Sequence, residues 1–149
     1  MNDHIRRFPS NLPFPLSQAV EAGGFLFLSG QVSMSEAGVP LRVDVKTQTR
    51  NALAGIQRTL SACGADMGDI VKVTVWLSDM KHYADFNEAY ASHFPEGFPA
   101  RSVVASKVAL DLDVEIDQGR LEDVMSLGVK GKPPMSGAIT FRTRLVIPP

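Results

Sequence analysis

Arg101 opens the apolar run Arg101-Ser102-Val103-Val104-Ala105, directly after the turn-forming Phe98-Pro99-Ala100. An arginine at the mouth of a strand has two readings. Its planar fork can take a carboxylate through two parallel N–H donors. Otherwise its stem lies on apolar neighbours and its charge stays in water. Glu115 belongs to Leu112-Asp113-Val114-Glu115-Ile116-Asp117, where alternation puts Asp113, Glu115 and Asp117 on one side of a strand. That side is either a solvated acidic face or, close to an arginine, a place where a carboxylate holds and polarises a water. Ser17-Gln18-Ala19 and Ser29-Gly30-Gln31 sit at hairpin ends. They serve ordinary turn chemistry or line a cleft. Asn87 lies on an aromatic helical stripe, where an amide is either an interior hydrogen-bonding group or a ligand contact.

No phosphate loop, dinucleotide fingerprint, nucleophile elbow or metalloprotease helix is present. His4, His82 and His93 are scattered, and with one cysteine, Cys63, they form no zinc-ligand spacing. No metal is expected. A lone thiol forms no internal disulfide and fits a reducing, cytoplasmic compartment. The chain has 149 residues, 44% of them hydrophobic, and a net charge of -1. That length is enough for one domain with a real core. The charge balance gives no case for nucleic acid or an anionic membrane as partner. Nothing in the chain approaches the roughly 18 consecutive apolar residues of a membrane span, and the start, with Arg6-Arg7 and no apolar run behind it, does not read as a signal peptide.

The candidate residues need elements to hold them. Residues 1–15, with Pro9, Pro13 and Pro15, read as an extended, irregular arm. Leu16–Glu21 and Phe25–Gln31 read as two strands joined at Gly23-Gly24. Val45–Cys63 carries Val45, Ala52, Leu53, Ile56, Leu60 and Cys63 at helical spacing, with Lys46, Gln48, Arg50, Gln57 and Arg58 opposite. Asp44 is placed to cap its start and Gly64 its end. Ile70–Leu77 is a β-branched strand in which Val71, Val73, Val75 and Leu77 alternate with Lys72, Thr74 and Trp76. Tyr83, Phe86, Asn87, Tyr90 and Phe94 make one stripe of a second helix, with both tyrosines expected in the core. Ser102–Val108 and Leu112–Asp117 are further strands. Gln118-Gly119-Arg120 breaks the last of them, and residues 118–149 form an extension with a late strand at Ile139–Ile147. The expected fold class is α+β: a β-β-α-β-α-β-β mixed sheet with two helices packed on one face.

Taken in order, Ser17-Gln18-Ala19, Ser29-Gly30-Gln31, Thr49-x-Asn51-Ala52-Leu53, Asp69-Ile70-Val71-Lys72-x-Thr74-Val75, Phe86-Asn87-x-x-Tyr90, Phe98-Pro99-Ala100-Arg101-Ser102 and Val114-Glu115-Ile116 resemble the RidA (YjgF) family. The resemblance covers residues 16–117 as a RidA-like domain. It implies a chorismate-mutase-like α+β fold and a homotrimer with clefts between subunits. It implies hydrolysis of reactive enamines and imines, such as 2-aminoacrylate, to 2-keto acids and ammonia without a cofactor. In family terms Arg101 grips the substrate carboxylate and Glu115 positions the hydrolytic water. Ser29, the backbone at Gly30 and Val103, and Asn87 line the same pocket. The family's tyrosine before Ser-Gln-Ala is Leu16 here, which removes a hydroxyl from the wall. Its frequent cysteine two residues after the arginine is Val103. Two other roles remain open: a non-catalytic trimer that binds a small imino or keto acid, and a ribonuclease or translation inhibitor.

Overall fold

The computed structural model describes residues 4–121. The strand expected at Ile139–Ile147 lies outside the described residues. Eight elements run in the order β1 (Ile5–Pro9), β2 (Ser17–Ala22), β3 (Phe25–Val32), α1 (Val45–Ala62), β4 (Ile70–Leu77), α2 (Tyr83–Ala91), β5 (Ala100–Ala105) and β6 (Val114–Leu121). The strands form one mixed sheet, ordered β1-β2-β3-β6-β4-β5. Only β4 and β5 are parallel, which the intervening α2 makes possible.

Local chemistry explains most boundaries. Gly23 and Gly24 have φ of 59° and 78°, the two positive values a two-residue type I′ hairpin needs. Asp44 caps α1 by accepting from the Thr47 amide at 3.0 Å. Gly64, at φ 78°, ends α1 in a Schellman motif: Ala65 N–H donates to Leu60 and Gly64 N–H to Ser61. Leu26, Leu28, Val73, Val75, Leu77, Val114 and Ile116 face the helices, where they bury Leu53, Ile56, Leu60 and Phe86.

Five expectations are corrected. Residues 5–9 are not irregular but pair with β2 as an edge strand, and Pro9 ends it where its missing N–H costs little. The element order therefore gains one strand at its start. Gln118-Gly119-Arg120 does not break β6: Gln118 pairs with Leu28 on one side and Val73 on the other. Its weak β-propensity is overridden by ladders on both sides. Gln48 is buried, not on the polar side of α1. Its amide donates to Val43 O at 2.7 Å and Asp113 Oδ2 at 3.0 Å, and accepts from Asp113 N–H at 2.9 Å. Val71 points outward because a bulge between Ile70 and Lys72 flips the alternation there. Finally, the strand expected to begin at Ser102 begins at Ala100, so Arg101 lies inside β5 rather than before it.

Candidate functional site

Arg101 lies on the helix-facing side of the sheet, because it pairs with buried Val73. β5 is the sheet edge, so α2 alone covers the guanidinium. Its carbon stands 5.8, 5.6 and 5.0 Å from the rings of Tyr83, Phe86 and Tyr90. These three residues are the i, i+3 and i+7 positions of α2, so helical periodicity builds the aromatic floor. Arg101 Nη2 also donates to the Tyr83 hydroxyl at 3.3 Å. Tyr83 is exposed rather than core, while Tyr90 is buried as expected. No carboxylate pairs with Arg101 among the described residues.

The floor opens into a recess of about 320 Å³, lined by Asn87, Tyr90, Phe98, Pro99 and Arg101. Two buried oxygens there have no hydrogen-bond partner among the described residues: Asn87 Oδ1 and the Tyr90 hydroxyl. Burial pushes the Tyr90 phenol up to about 12, opposed by the Arg101 charge. It is therefore a neutral group that can both donate and accept. Val103, two residues after Arg101, is partly buried with its side chain packed against the core.

Glu115 is elsewhere. It pairs with Trp76 and Val32 on the side of the sheet without helices. Its carboxylate rests against Gly30, where a Cβ would collide with Oε1. A side chain at Gly30 would therefore displace the Glu115 carboxylate, while its φ makes no demand for glycine. Ser29 and Gly30 form the irregular step between Leu28 and Gln31 where β3 slips against β6. Ser29 Oγ donates to Ser17 O at 2.6 Å, leaving it acceptor capacity only. Leu16 stands exposed beside it and, with Ser29 and Gly30, borders a second recess of about 280 Å³. Burial raises the Glu115 carboxyl above the ordinary range, and the nearby Asp117 raises it further.

The candidate residues thus fall into two groups. Arg101, Asn87 and Val103 sit on the helix side at the β5 edge. Glu115, Ser29, Gly30 and Leu16 sit around the slip between β3 and β6. Arg101 and Ser29 are three strand spacings apart, about 14 Å. One chain does not bring Arg101 and Glu115 together. Tyr83 and Tyr90, expected in the core, stand against the Arg101 guanidinium and were signalled by the aromatic stripe; Phe98, from the segment that leads into Arg101, lines the same recess.

One further polar cluster exists at the start of β6. Asp113 accepts from Ser78 Oγ and lies 3.5 Å from His82 Nε2. Both groups converge on one carboxylate, whereas a nucleophile relay needs the histidine in the middle. Among the described residues no three His, Cys, Asp or Glu side chains are grouped to hold a metal, and no helix is long and apolar enough to cross a membrane.

Comparison with known proteins gives these groups a context. The family model described as Endoribonuclease L-PSP matches residues 10–118. A RutC family protein of Pyrococcus horikoshii is 42% identical over 115 residues, 74% of this chain and 91% of that protein. Reactive Intermediate Deaminase A, chloroplastic, of Arabidopsis thaliana is 38% identical over 104 residues, 69% of this chain and 55% of that protein. The crystal structure of Escherichia coli TdcF with bound serine superposes with a TM-score of 0.71 at 30% identity, covering 78% of this chain and 94% of TdcF. Family match, relatives and fold agree: the chain belongs to the endoribonuclease L-PSP family, the same YjgF/RidA family that its ordered motifs resemble.

Proposed function

We propose that the protein hydrolyses 2-imino acids, and their enamine tautomers, to 2-keto acids and ammonia in a cleft between two copies of the chain. The observation that carries this reading is the Arg101 recess. Among the described residues, a guanidinium without a carboxylate partner lines the same recess as an unpaired buried acceptor, Asn87 Oδ1. A small molecule with a carboxylate and an adjacent N–H satisfies both, and a 2-imino acid is such a molecule. Serine, the ligand named for TdcF, shares that layout.

The chemistry then needs little from the protein. An imine carbon is already electrophilic, so orientation and a proton path suffice. Water oxygen adds to C2 while one of its protons passes to the imine nitrogen. The resulting hydroxyl then passes its remaining proton to the nitrogen as the C2=O bond forms and the C2–N bond breaks, so the nitrogen leaves as ammonia. Arg101 of one copy holds the carboxylate. Glu115 of its neighbour holds the water, and its raised affinity for a proton suits the transfer. Ser29, the backbone at Gly30 and Val103, and the apolar wall at Leu16 complete the cleft. A homotrimer supplies three such clefts. The reaction as written uses no cofactor, and the single thiol suits a cytoplasmic setting.

The test couples an amino-acid oxidase, which makes the imine in place, to this protein and follows imine loss. Acceleration that disappears in Arg101→Ala supports the reading. Keto-acid binding without acceleration would make the protein a metabolite-binding trimer. Salt-sensitive RNA cleavage in place of imine turnover would return it to the ribonuclease role in the family's name.

A further inference from the structure

We infer that Arg58 is a second anion-recognition residue, and that the cleft takes 2-imino acids bearing a second carboxylate on the side chain. The inference rests on the deaminase reading and names its substrate class.

The argument begins at Gly55. It is a buried helical glycine on the face of α1 that meets β3. A Cβ there would stand 2.7 Å from Gln31 Oε1 and 3.8 Å from Arg58 Nη2. Glycine therefore makes room above one turn of α1, and both polar ends occupy it. Gln31 is in turn tied to the β3 slip, since its Nε2 donates to Ser29 O at 3.0 Å. Arg58 is itself exposed, with Nη2 folded back over Gly55 at the border of the recess that Ser29 and Gly30 also line.

The recess of about 280 Å³ links these groups. Leu16, Ser29 and Gly30 line it together with Arg58. An imino acid whose C2 lies at Gly30 must send its side chain somewhere, and this recess starts there. Leu16 is an apolar wall for one or two methylenes, and Arg58 is the cation beyond it. Among the described residues Arg58 has no ion pair; the cations that do are Arg6, Lys46 and His82. Its donors are available for a carboxylate. Glu36 also borders the recess and opposes an anion. Its removal should therefore strengthen recognition of the second carboxylate.

The experiment compares imines made in place from glutamate and from norvaline, which share backbone and length but differ in the terminal charge. Wild-type protein should prefer the glutamate imine in kcat/KM. Arg58→Ala should lower the glutamate-to-norvaline ratio about tenfold, the size of one charged hydrogen bond. Glu36→Gln should raise it. A ratio unchanged by Arg58→Ala overturns the inference while leaving the deaminase reading intact. If no imine is turned over, the deaminase reading fails. The second contact is then judged by thermal protection with 2-oxoglutarate against 2-oxopentanoate. Preference for 2-oxoglutarate that Arg58→Ala erases upholds it, and equal protection overturns it.

Discussion

Arg101 and Glu115 stand on opposite faces of one sheet, with β4 between their strands: Arg101 pairs with helix-facing Val73, and Glu115 with Trp76 on the other side. No side-chain rotation joins them within a chain. If catalysis needs both, each cleft must draw one residue from each of two copies. Chains carrying Arg101→Ala and chains carrying Glu115→Gln should each be inactive alone. Mixed at equal amounts through unfolding and refolding, they should recover about a quarter of wild-type activity, because random cyclic assembly leaves that share of interfaces with both native groups. No recovery, with mixed oligomers present by mass, would place the two residues in one cleft of one chain or remove one of them from the reaction.

Glu115 should also show opposed effects on activity and stability. Burial, and then Asp117, raise its pKa in the folded state. The folded chain then binds a proton that the unfolded chain has released, so stability falls as pH rises through the interval between the unfolded and folded values. At pH 7 the wild type carries the cost of a half-buried charge, and Glu115→Gln does not. The variant should melt higher at pH 7 while losing turnover. The difference in Tm should shrink as pH is lowered through the carboxylate range. A variant that melts lower at pH 7 would mean that the carboxylate is held by stabilising contacts.

Tyr83→Phe removes one oxygen and leaves the aromatic floor intact. The lost partner is the hydroxyl that accepts from Arg101 Nη2 at 3.3 Å. KM for an imino acid should rise two- to tenfold, as for a single hydrogen bond, with kcat little changed. An equal fall in kcat would mean that the hydroxyl acts on the reacting atoms, and unchanged kinetics would mean that ring stacking alone orients the fork.

Two buried glutamines should respond in opposite directions to the same substitution. Gln48 has a partner for each polar end. Gln48→Leu strands Asp113 and Val43 and should cost about 1–3 kcal/mol in denaturant unfolding. Gln118 is 4% exposed, and both its amide atoms lack partners among the described residues. Gln118→Leu should stabilise the fold by about 1 kcal/mol, since an unpaired buried amide carries a desolvation cost. A destabilised Gln118→Leu would show that the amide is satisfied in solution.

Much of this was legible in the chain because it is local. Ile70–Leu77 is a strand from its branched residues, Asp44 and Gly64 bound α1, and the alternation around Glu115 places it off the core face as expected. The misread parts depend on partners far away in sequence. Residues 5–9 become a strand only because β2 offers a free edge. Gln118 stays in β6 because Leu28 and Val73 hold it on both sides. Gln48 is buried because Asp113 meets both ends of its amide. Segment order likewise marks Arg101 and Glu115 as a pair without telling that they face apart, since that follows from strand pairing and parity.

The separation of Arg101 from Glu115 has a consequence for measurement. Sites assembled from two copies exist only in proportion to association, so turnover per chain depends on protein concentration. If catalysis needs both residues, protein diluted below its dissociation constant should lose turnover, and concentrating it should restore that turnover with no change in any residue. An assay run at nanomolar protein would then report the oligomer population rather than the chemistry. Specific activity across a dilution series becomes a titration of the assembly itself.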